Sequence, residues 1–211
     1  VTNIDTDHMA TYSGDFDQLV DTFQTFLHNL PFYGLAVLCS DDPVIRDLRP
    51  HIHRPVVTYG VEAGADYRAT QIRQAGTRMQ FKVALTGERR IEVDLPIPGL
   101  HNVCNALAAI AVADKVGIAA DAIAEGLRSF AGIDRRFEIL GEMILGPGRA
   151  LLVDDYAHHP REIEATLAAA QGCWPDRRKV VVFQPHRFTR TQELLDDSSA
   201  LLDGGACLVI T

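Results

Sequence analysis

The chain has 211 residues, of which 47% are hydrophobic, and this length suits one large or two small globular domains. Its formal net charge of -8 argues against a basic surface for nucleic acid or an anionic membrane. No run approaches the roughly 18 consecutive apolar residues of a membrane helix. The four cysteines are widely spaced, so we expect reduced thiols in a cytoplasmic protein.

The first part of the chain is predicted to form a parallel α/β layer followed by a small antiparallel sheet. Its elements are recognised by apolar residues at helical spacing, by short apolar runs, and by alternation of apolar and polar residues. They are a helix over residues 15–29, a strand over 35–39, a short helix over 42–48, a strand over 55–59, strands over 66–72, 79–85 and 91–97, and helices over 103–116 and 121–130.

The second part is predicted to be another α/β unit. Residues 131–137 are typical of a connection between domains, and we place the boundary between residues 132 and 133. The elements predicted after it are a strand or hairpin up to residue 153, a polar turn, a helix after Pro160, a strand over 180–183, a helix over 191–202 and a terminal strand. Because the chain starts and ends on predicted core strands, we interpret it as an internal piece of a longer protein.

The polar turn at residues 154–160 is the strongest candidate site. Two carboxylates, Asp154 and Asp155, and two imidazoles, His158 and His159, fall between a strand and a helix. Such turns bind ligands in open α/β sheets. The alternatives are that the aspartates only cap the turn, or that the four side chains bind a metal ion. The metal site is the weaker alternative because neighbouring histidines in a turn rarely point at one ion.

Polar side chains also cluster at three other predicted element ends. They are Asp5, Asp7 and His8 after the first strand, His101, Asn102 and Asn105 at a helix start, and His186, Arg187 and Arg190 after the strand over 180–183. The first cluster has the oxygen and nitrogen ligands of a divalent metal. Asparagine amides suit the edge of an adenine base, although Asn102 could simply cap its helix. Two arginines three positions apart can bind a carboxylate or phosphate, with surface salt bridges as the alternative.

Six segments share their sequence and their order with a known family. They are Thr2-Asn3-Ile4-x-x-Asp7-His8-Met9, residues 26–34, His101-Asn102-x-x-Asn105-Ala106, Arg135-Arg136-Phe137, residues 154–160 and residues 184–190. On these segments the chain resembles the Mur ligase family, and within it the members that join L-alanine to UDP-N-acetylmuramate. Six ordered matches are far more specific than any single motif.

The resemblance implies an α/β fold in two partial domains. Residues 1–132 would be the later part of a central ATP-binding domain with a mixed sheet and helices, and residues 133–211 the first part of a truncated Rossmann-like C-terminal domain. It also implies ATP and Mg²⁺ as cofactors. In the family's reaction ATP activates a carboxylate as an acyl phosphate, which an amine attacks to form an amide. UDP-N-acetylmuramate and L-alanine would be the substrates, in peptidoglycan precursor synthesis.

The same resemblance implies roles for individual residues. His8 would bind Mg²⁺, and Arg136, His158 and His159 would be catalytic. The nucleotide would contact His101, Asn102, Asn105, Arg136, Asp155 and Tyr156. The amino acid and the muramoyl substrate would contact His158, His159, His186, Arg187 and Arg190. Residues 154–160 would then form one wall of a site between two domains.

The chain departs from the family at one important point. The Gly-rich phosphate loop ending in Gly-Lys-Ser/Thr is missing, since Lys82, Lys115 and Lys179 are the only lysines and none follows a glycine. We therefore expect no ligase activity from this chain alone. Two other functions stay open: a ligase that attaches a whole murein peptide to the same sugar nucleotide, and a non-catalytic nucleotide- or carboxylate-binding module. The arginine turn at residues 186–190 argues against the first of them.

Overall fold

A computed structural model describes residues 1–7, 9–85 and 89–184, together with the backbone of the last strand. The chain divides into two compact units. Unit 1 comprises residues 1–73, 80–94 and 101–129, and unit 2 comprises residues 74–79, 95–100 and the described residues from 130 onward.

The helices and strands confirm the α/β fold class and nearly all the predicted elements. The strands are β1 (Ala36–Cys39), β2 (Val56–Gly60), β3 (Tyr67–Ala75), β4 (Arg78–Ala84), β5 (Arg90–Leu95), β6 (Glu138–Leu145), β7 (Gly148–Asp154), β8 (Val180–Phe183) and β9 (Cys207–Ile210). The α-helices are α1 (Phe16–His28), α2 (Pro43–Leu48), α3 (Leu100–Lys115), α4 (Ala120–Arg128) and α5 (Pro160–Cys173), and short 3₁₀ turns occupy Met9–Tyr12 and Arg49–His51.

A five-stranded mixed sheet carries the core of unit 1. Its strands are hydrogen-bonded in the order β1-β2-β3-β4-β5, and β1 pairs in parallel with β2 in the register Ala36 to Val56. Helix α3 contributes Val103, Leu107 and Ile110, whose side chains are fully buried. Burial of a side chain of this size stabilises the fold by about 1.5–3 kcal/mol, so α3 is anchored firmly.

The first two helices of unit 1 begin at aspartate caps. Asp15 accepts backbone hydrogen bonds from Asp17 and Gln18 at the start of α1. Asp42 accepts one from Ile45 over 2.9 Å at the start of α2. The capped N–H groups would otherwise lack partners, because the first turn of a helix has no intrahelical acceptor for them.

Helix α3 begins three residues before the predicted start at residue 103. Asn102 is therefore inside the helix, and its interpretation as the N-cap is wrong. The reason is Gly99, whose φ of +98° lies in the left-handed region that glycine tolerates and lets the chain turn directly into the helix at Leu100.

In unit 2, β6 and β7 form an antiparallel hairpin whose register runs from Glu138–Asp154 to Leu145–Gly148. Gly146, with φ of +58°, makes the turn between them. Helix α5 buries Ile163, Ala169 and Cys173, and strands β8 and β9 pair in parallel.

The hydrophobic core of unit 2 includes Phe137, which is 7% exposed. Its ring stacks on Trp174 with the ring centres 5.9 Å apart.

No helix within the described ranges is long and apolar enough to cross a membrane. The helix predicted over residues 191–202 lies outside the described residues.

Candidate functional site

The turn between β7 and α5 is organised around the carboxylate of Glu162. Its Oε2 accepts the backbone N–H groups of His158 over 3.0 Å and of His159 over 3.2 Å. Its Oε1 accepts a hydrogen bond from Arg136 Nη1 over 3.1 Å. Burial acts to raise the pKa of Glu162, but the two N–H groups and Arg136 outweigh it and hold the pKa below its ordinary value. The ionised carboxylate thus ties the histidine turn to the hinge segment, residues 131–137.

His159 is the N-cap of α5, and Pro160 takes the first helical position. The His159 Nδ1 accepts the N–H of Arg161 over 3.3 Å, while the Glu162 carboxylate accepts the backbone N–H of His159. This reciprocal arrangement is a capping box with histidine in the place usually held by serine or threonine. The cap fixes the tautomer, because an Nδ1 that accepts leaves the proton of a neutral ring on Nε2.

His158 adopts the opposite tautomer. Its Nδ1 lies 2.8 Å from the carbonyl oxygen of Tyr156, which can only accept a hydrogen bond. The proton of the neutral ring is therefore on Nδ1, and Nε2 keeps a basic lone pair. The side chain is 21% exposed, and its ring packs edge-on against that of Tyr156 at 5.1 Å. Of the two histidines predicted to be catalytic, His158 is the one arranged to accept a proton.

Two arginines of the hinge segment lie against the ring of Tyr156. The guanidinium carbon of Arg135 is 4.8 Å from the ring centre and that of Arg136 is 5.9 Å from it. The Tyr156 N–H donates to the carbonyl oxygen of Arg135 over 2.7 Å, and Arg135 also reaches Asp154 over 3.4 Å. Tyr156 is 38% exposed, so this aromatic and cationic surface is open to solvent and suits an anionic group such as a phosphate.

Asp155 joins the hinge segment to the turn. One oxygen accepts the N–H of Phe137 over 2.8 Å and the other accepts the N–H of Ala157 over 2.7 Å. Phe137 has a φ of +51°, which a non-glycine residue adopts only when its surroundings hold it there. Asp155 therefore shapes the site through the backbone, and its contact with a nucleotide stays a prediction.

In unit 1, the predicted adenine-binding residues lie together near the start of α3. His101 and Asn105 are exposed, Asn102 is partly buried, and Asn105 Nδ2 donates to Asn102 Oδ1 over 3.5 Å. Spacings of three and four residues place the side chains on one helix face, where the positive end of the helix dipole also acts. The structure thus groups the three side chains, and their role in binding adenine stays a prediction.

Four predicted site residues, His8, His186, Arg187 and Arg190, lie outside the described residues. Within the described ranges, no group of three or more His, Cys, Asp or Glu side chains is arranged to hold a metal ion. The carboxylates and imidazoles of residues 154–160 are instead engaged with backbone groups and arginines.

The sequence prediction found the turn but missed Glu162, the residue that organises it. A usable signal was present, because a capping box places Glu three positions after the N-cap, and here Glu162 follows His159 at that spacing. The signal is easily overlooked because histidine is an uncommon N-cap residue.

Two stretches of the chain match known protein domains. Residues 1–113 match the Mur ligase middle domain, and residues 135–211 match the family described as Mur ligase, glutamate ligase domain. The chain therefore combines two domain types that are found in Mur ligases. The chain belongs to the Mur ligase family.

Individual relatives match along the whole chain. It is 54% identical over 211 residues to UDP-N-acetylmuramate–L-alanine ligase of Halorhodospira halophila, covering all of this chain and 43% of that protein. UDP-N-acetylmuramate-alanine ligase of Thermotoga maritima has a similar structure, with a TM-score of 0.74 at 28% identity, over 100% of this chain and 50% of that one. The MurF ligase of Thermotoga maritima in complex with ADP has a TM-score of 0.73 at 18% identity, over 93% and 44% of the two chains. The chain spans about half the length of these relatives.

Proposed function

We propose that this chain is part of an ATP-dependent ligase that joins L-alanine to UDP-N-acetylmuramate in peptidoglycan precursor synthesis. The observation that carries the proposal is 54% identity, over all 211 residues, to a ligase named for this reaction. Residues 1–132 would belong to the central ATP-binding domain and residues 133–211 to the C-terminal ligase domain. We place the reaction in the cytoplasm.

The side chains around Tyr156 fit a phosphate-bearing nucleotide. Arg135 and Arg136 present planar guanidinium groups beside a partly exposed ring, and such groups bind phosphate oxygens through two parallel hydrogen bonds. ATP would supply the phosphoryl group that activates the substrate carboxylate, with Mg²⁺ neutralising phosphate charge. Glu162 fixes Arg136 in place, so the cation is oriented before the nucleotide arrives.

His158 is our candidate for the group that handles the proton of the amino acid. An amine attacks a carboxyl carbon only after losing a proton. The His158 side chain is 21% exposed, and its ring is held at Nδ1, which leaves Nε2 with a lone pair that can accept that proton. Glu162 accepts the His158 N–H and so holds the backbone of this residue. His158 would therefore take the proton released when the amide forms.

The test uses the full-length protein that contains this chain. ADP release should require both UDP-N-acetylmuramate and L-alanine. His158→Ala should lower kcat by about 100-fold, because one proton acceptor is lost, while the exposed His51→Ala control should stay within about twofold of the wild type. Use of a murein tripeptide in place of L-alanine would assign the recycling reaction. ATP binding without ADP release under any of these conditions would leave only a binding module, and either result would overturn the proposal.

The 211-residue chain by itself should show no substrate-dependent ADP release, because it has no Gly-Lys-Ser/Thr loop to hold the β- and γ-phosphates. The same assay, run at protein concentrations at which the full-length enzyme turns over readily, checks this expectation. Turnover that depends on both substrates would contradict it.

A further inference from the structure

A crevice of about 610 Å³ lies near the carboxyl ends of β1 and β2 in unit 1. Its lining includes Leu38 and Thr58, which are register partners on the two parallel strands and are each 1% exposed. The rest of the lining comes from α2, from the 3₁₀ turn after it, and from the connections that follow β1 and β2. Crevices outside the carboxyl ends of strands are the usual ligand sites of open α/β sheets. The proposed ligase reaction uses none of these residues.

The crevice has the size and the lining of a small-molecule site. Pockets that bind small molecules have volumes of roughly 300–1,000 Å³ and are lined by apolar side chains with a few polar groups that orient the ligand. Here the apolar part of the lining includes Ile45, Pro50 and Ala63. The charged part consists of Arg46, Arg49 and Glu62. These three charged side chains therefore indicate which kind of ligand the crevice can hold.

Arg46 is held in place through one of its terminal nitrogens. Its Nη1 donates to the carbonyl oxygens of Ser40 over 3.0 Å and Asp41 over 3.2 Å, and to Glu62 Oε2 over 3.2 Å. Its Nε and Nη2 make no hydrogen bond within the described part of the chain. The free Nε–Nη2 edge can form two parallel hydrogen bonds with the oxygens of a carboxylate or a phosphate. The guanidinium is thus oriented on one side and available on the other.

Arg49 is a second cation in the same lining. It is the C-cap of α2 and has a φ of −50° and a ψ of −45°, so the helical path continues through it and its side chain lies near that of Arg46, three positions earlier. Its guanidinium makes no hydrogen bond or ion pair with any residue that the structure describes. The chain as a whole carries a net charge of -8. An arginine without an acidic partner in such a chain can give its charge to a ligand.

The aspartates of this region are bound to other groups. Asp41 accepts two backbone N–H groups after β2, over 2.7 and 3.1 Å, and Asp42 accepts one in α2 over 2.9 Å. Asp66 accepts the N–H of Thr58 over 2.7 Å and its hydroxyl over 2.8 Å. Among the described residues that line the crevice, Glu62 is the one carboxylate. Two guanidinium groups against this single carboxylate leave the lining with a net positive charge.

We propose that this crevice binds a small organic anion, a carboxylate or a phosphate monoester, through Arg46 and Arg49. The anionic oxygens accept hydrogen bonds from the two guanidinium groups, whose planar geometry matches both kinds of anion. The carbon part of the ligand lies against the apolar lining and is removed from water. All the residues of this site belong to unit 1, whereas the surface around Tyr156 belongs to unit 2. The inference does not depend on the proposed ligase function.

The test titrates the ¹⁵N-labelled 211-residue chain and follows its backbone amide signals by NMR. Phenylacetate and phenyl phosphate combine an anion with an apolar body, benzyl alcohol has only the apolar body, and inorganic phosphate has only the anion. At least one of the two organic anions should shift the signals of residues 62–64 with a Kd of about 1 mM, a value typical of ligands of this size. Benzyl alcohol and inorganic phosphate should bind at least about tenfold more weakly, because each lacks one part of the interaction. The tighter organic anion identifies the preferred anionic group.

Three variants separate this site from general attraction of anions to arginine. Arg49→Ala should weaken binding of the organic anion by at least about tenfold, because one of two guanidinium groups is lost. Arg90→Ala removes an exposed arginine of unit 1 outside the crevice and should leave the Kd within about twofold. Ala63→Leu keeps both arginines but fills part of the crevice at an exposed position, and it should also weaken binding. The proposal is overturned if no organic anion shifts residues 62–64, if benzyl alcohol binds as tightly, or if Arg49→Ala and Ala63→Leu keep the original Kd.

Discussion

Each unit contains a carboxylate at the centre of a polar network, and the two networks differ in burial and in partners. Asp114 in unit 1 has a fully buried side chain that accepts the hydroxyl of Tyr67 over 2.8 Å and meets Arg89 over 2.5 Å. Glu162 in unit 2 is 33% exposed and binds two backbone N–H groups and Arg136. A buried network whose side-chain partners are distant in the sequence holds a core together, whereas a partly exposed network that binds nearby backbone groups shapes a surface.

The difference separates a structural carboxylate from one that positions a site. The partners of Asp114 come from 47 and 25 positions away, so the two contacts lock α3 to the first residue of β3 and to the residue just before β5. The backbone partners of Glu162 lie three and four positions away, so they define only the local turn, while Arg136 adds one longer link to the hinge segment. Loss of Asp114 should therefore damage the fold of unit 1, and loss of Glu162 should damage the arrangement of the turn.

Asp114→Ala gives the largest expected effect. Removal of the carboxylate deletes its contacts with a buried hydroxyl and a partly buried guanidinium, and the free energy of unfolding should fall by about 3–5 kcal/mol. Urea unfolding followed by far-ultraviolet circular dichroism measures it. Tyr67→Phe is the matched control and should lose only about 1 kcal/mol, since the carboxylate keeps Arg89. A loss under about 1 kcal/mol for Asp114→Ala would show that this network does not hold the core of unit 1.

Glu162→Gln should have a smaller effect. The amide oxygen can still accept backbone N–H groups, but the charge that strengthens them and pairs with Arg136 is gone, so we expect a loss of about 1–2 kcal/mol at neutral pH. Fluorescence of Trp174, the only tryptophan, follows the unfolding of unit 2, where its ring stacks on Phe137. Glu164→Gln changes an exposed residue two positions further along α5; it is the control and should stay within about 0.5 kcal/mol of the wild type.

The pH dependence of the same variant checks the cause. The pKa of Glu162 is lowered in the folded state, so its stabilisation is fully present above its ordinary value of 4.5. Below that pH the unfolded chain binds a proton first, and the stabilisation is lost as the pH falls through the folded-state pKa. The free energy of unfolding, measured between neutral pH and about pH 3, should therefore fall less with decreasing pH for Glu162→Gln than for the wild type. Equal slopes would mean that the turn does not stabilise the ionised carboxylate.

Local patterns in the sequence predicted most of the fold. The periodicity of α1 placed that helix within one residue at each end, and alternation placed β4 and β5. The start of α3 was wrong because Asn102 is a common cap residue, whereas a positive φ at Gly99 gives no signal beyond the glycine itself. Rules based on local sequence patterns predict helices and strands well, but they predict the backbone conformation of a single residue poorly.

The candidate site was predicted in part. The concentration of acidic residues and histidines in residues 154–160 located the turn, but it did not show that Asp155 would bind the N–H of Phe137 or that Glu162 would organise the turn. Asp114 gave no signal at all, because it lies near the end of an amphipathic helix and its partners are distant in the sequence. Composition thus identifies where polar groups gather, and only the three-dimensional pairing shows which of them support the others.

The smallest expected effect compares the helix caps of the two units. Asp15→Ala removes an acceptor that serves two N–H groups, at 2.9 and 3.3 Å, and should cost about 1 kcal/mol. His159→Ala removes an acceptor that serves one N–H at 3.3 Å and leaves the bond from its own N–H to Glu162 in place, so it should cost about 0.5 kcal/mol. Urea unfolding of both variants under the same conditions measures the difference. A larger loss for His159→Ala would mean that its ring, and not Glu162, holds the start of α5, and the division of roles within this turn would have to be reversed.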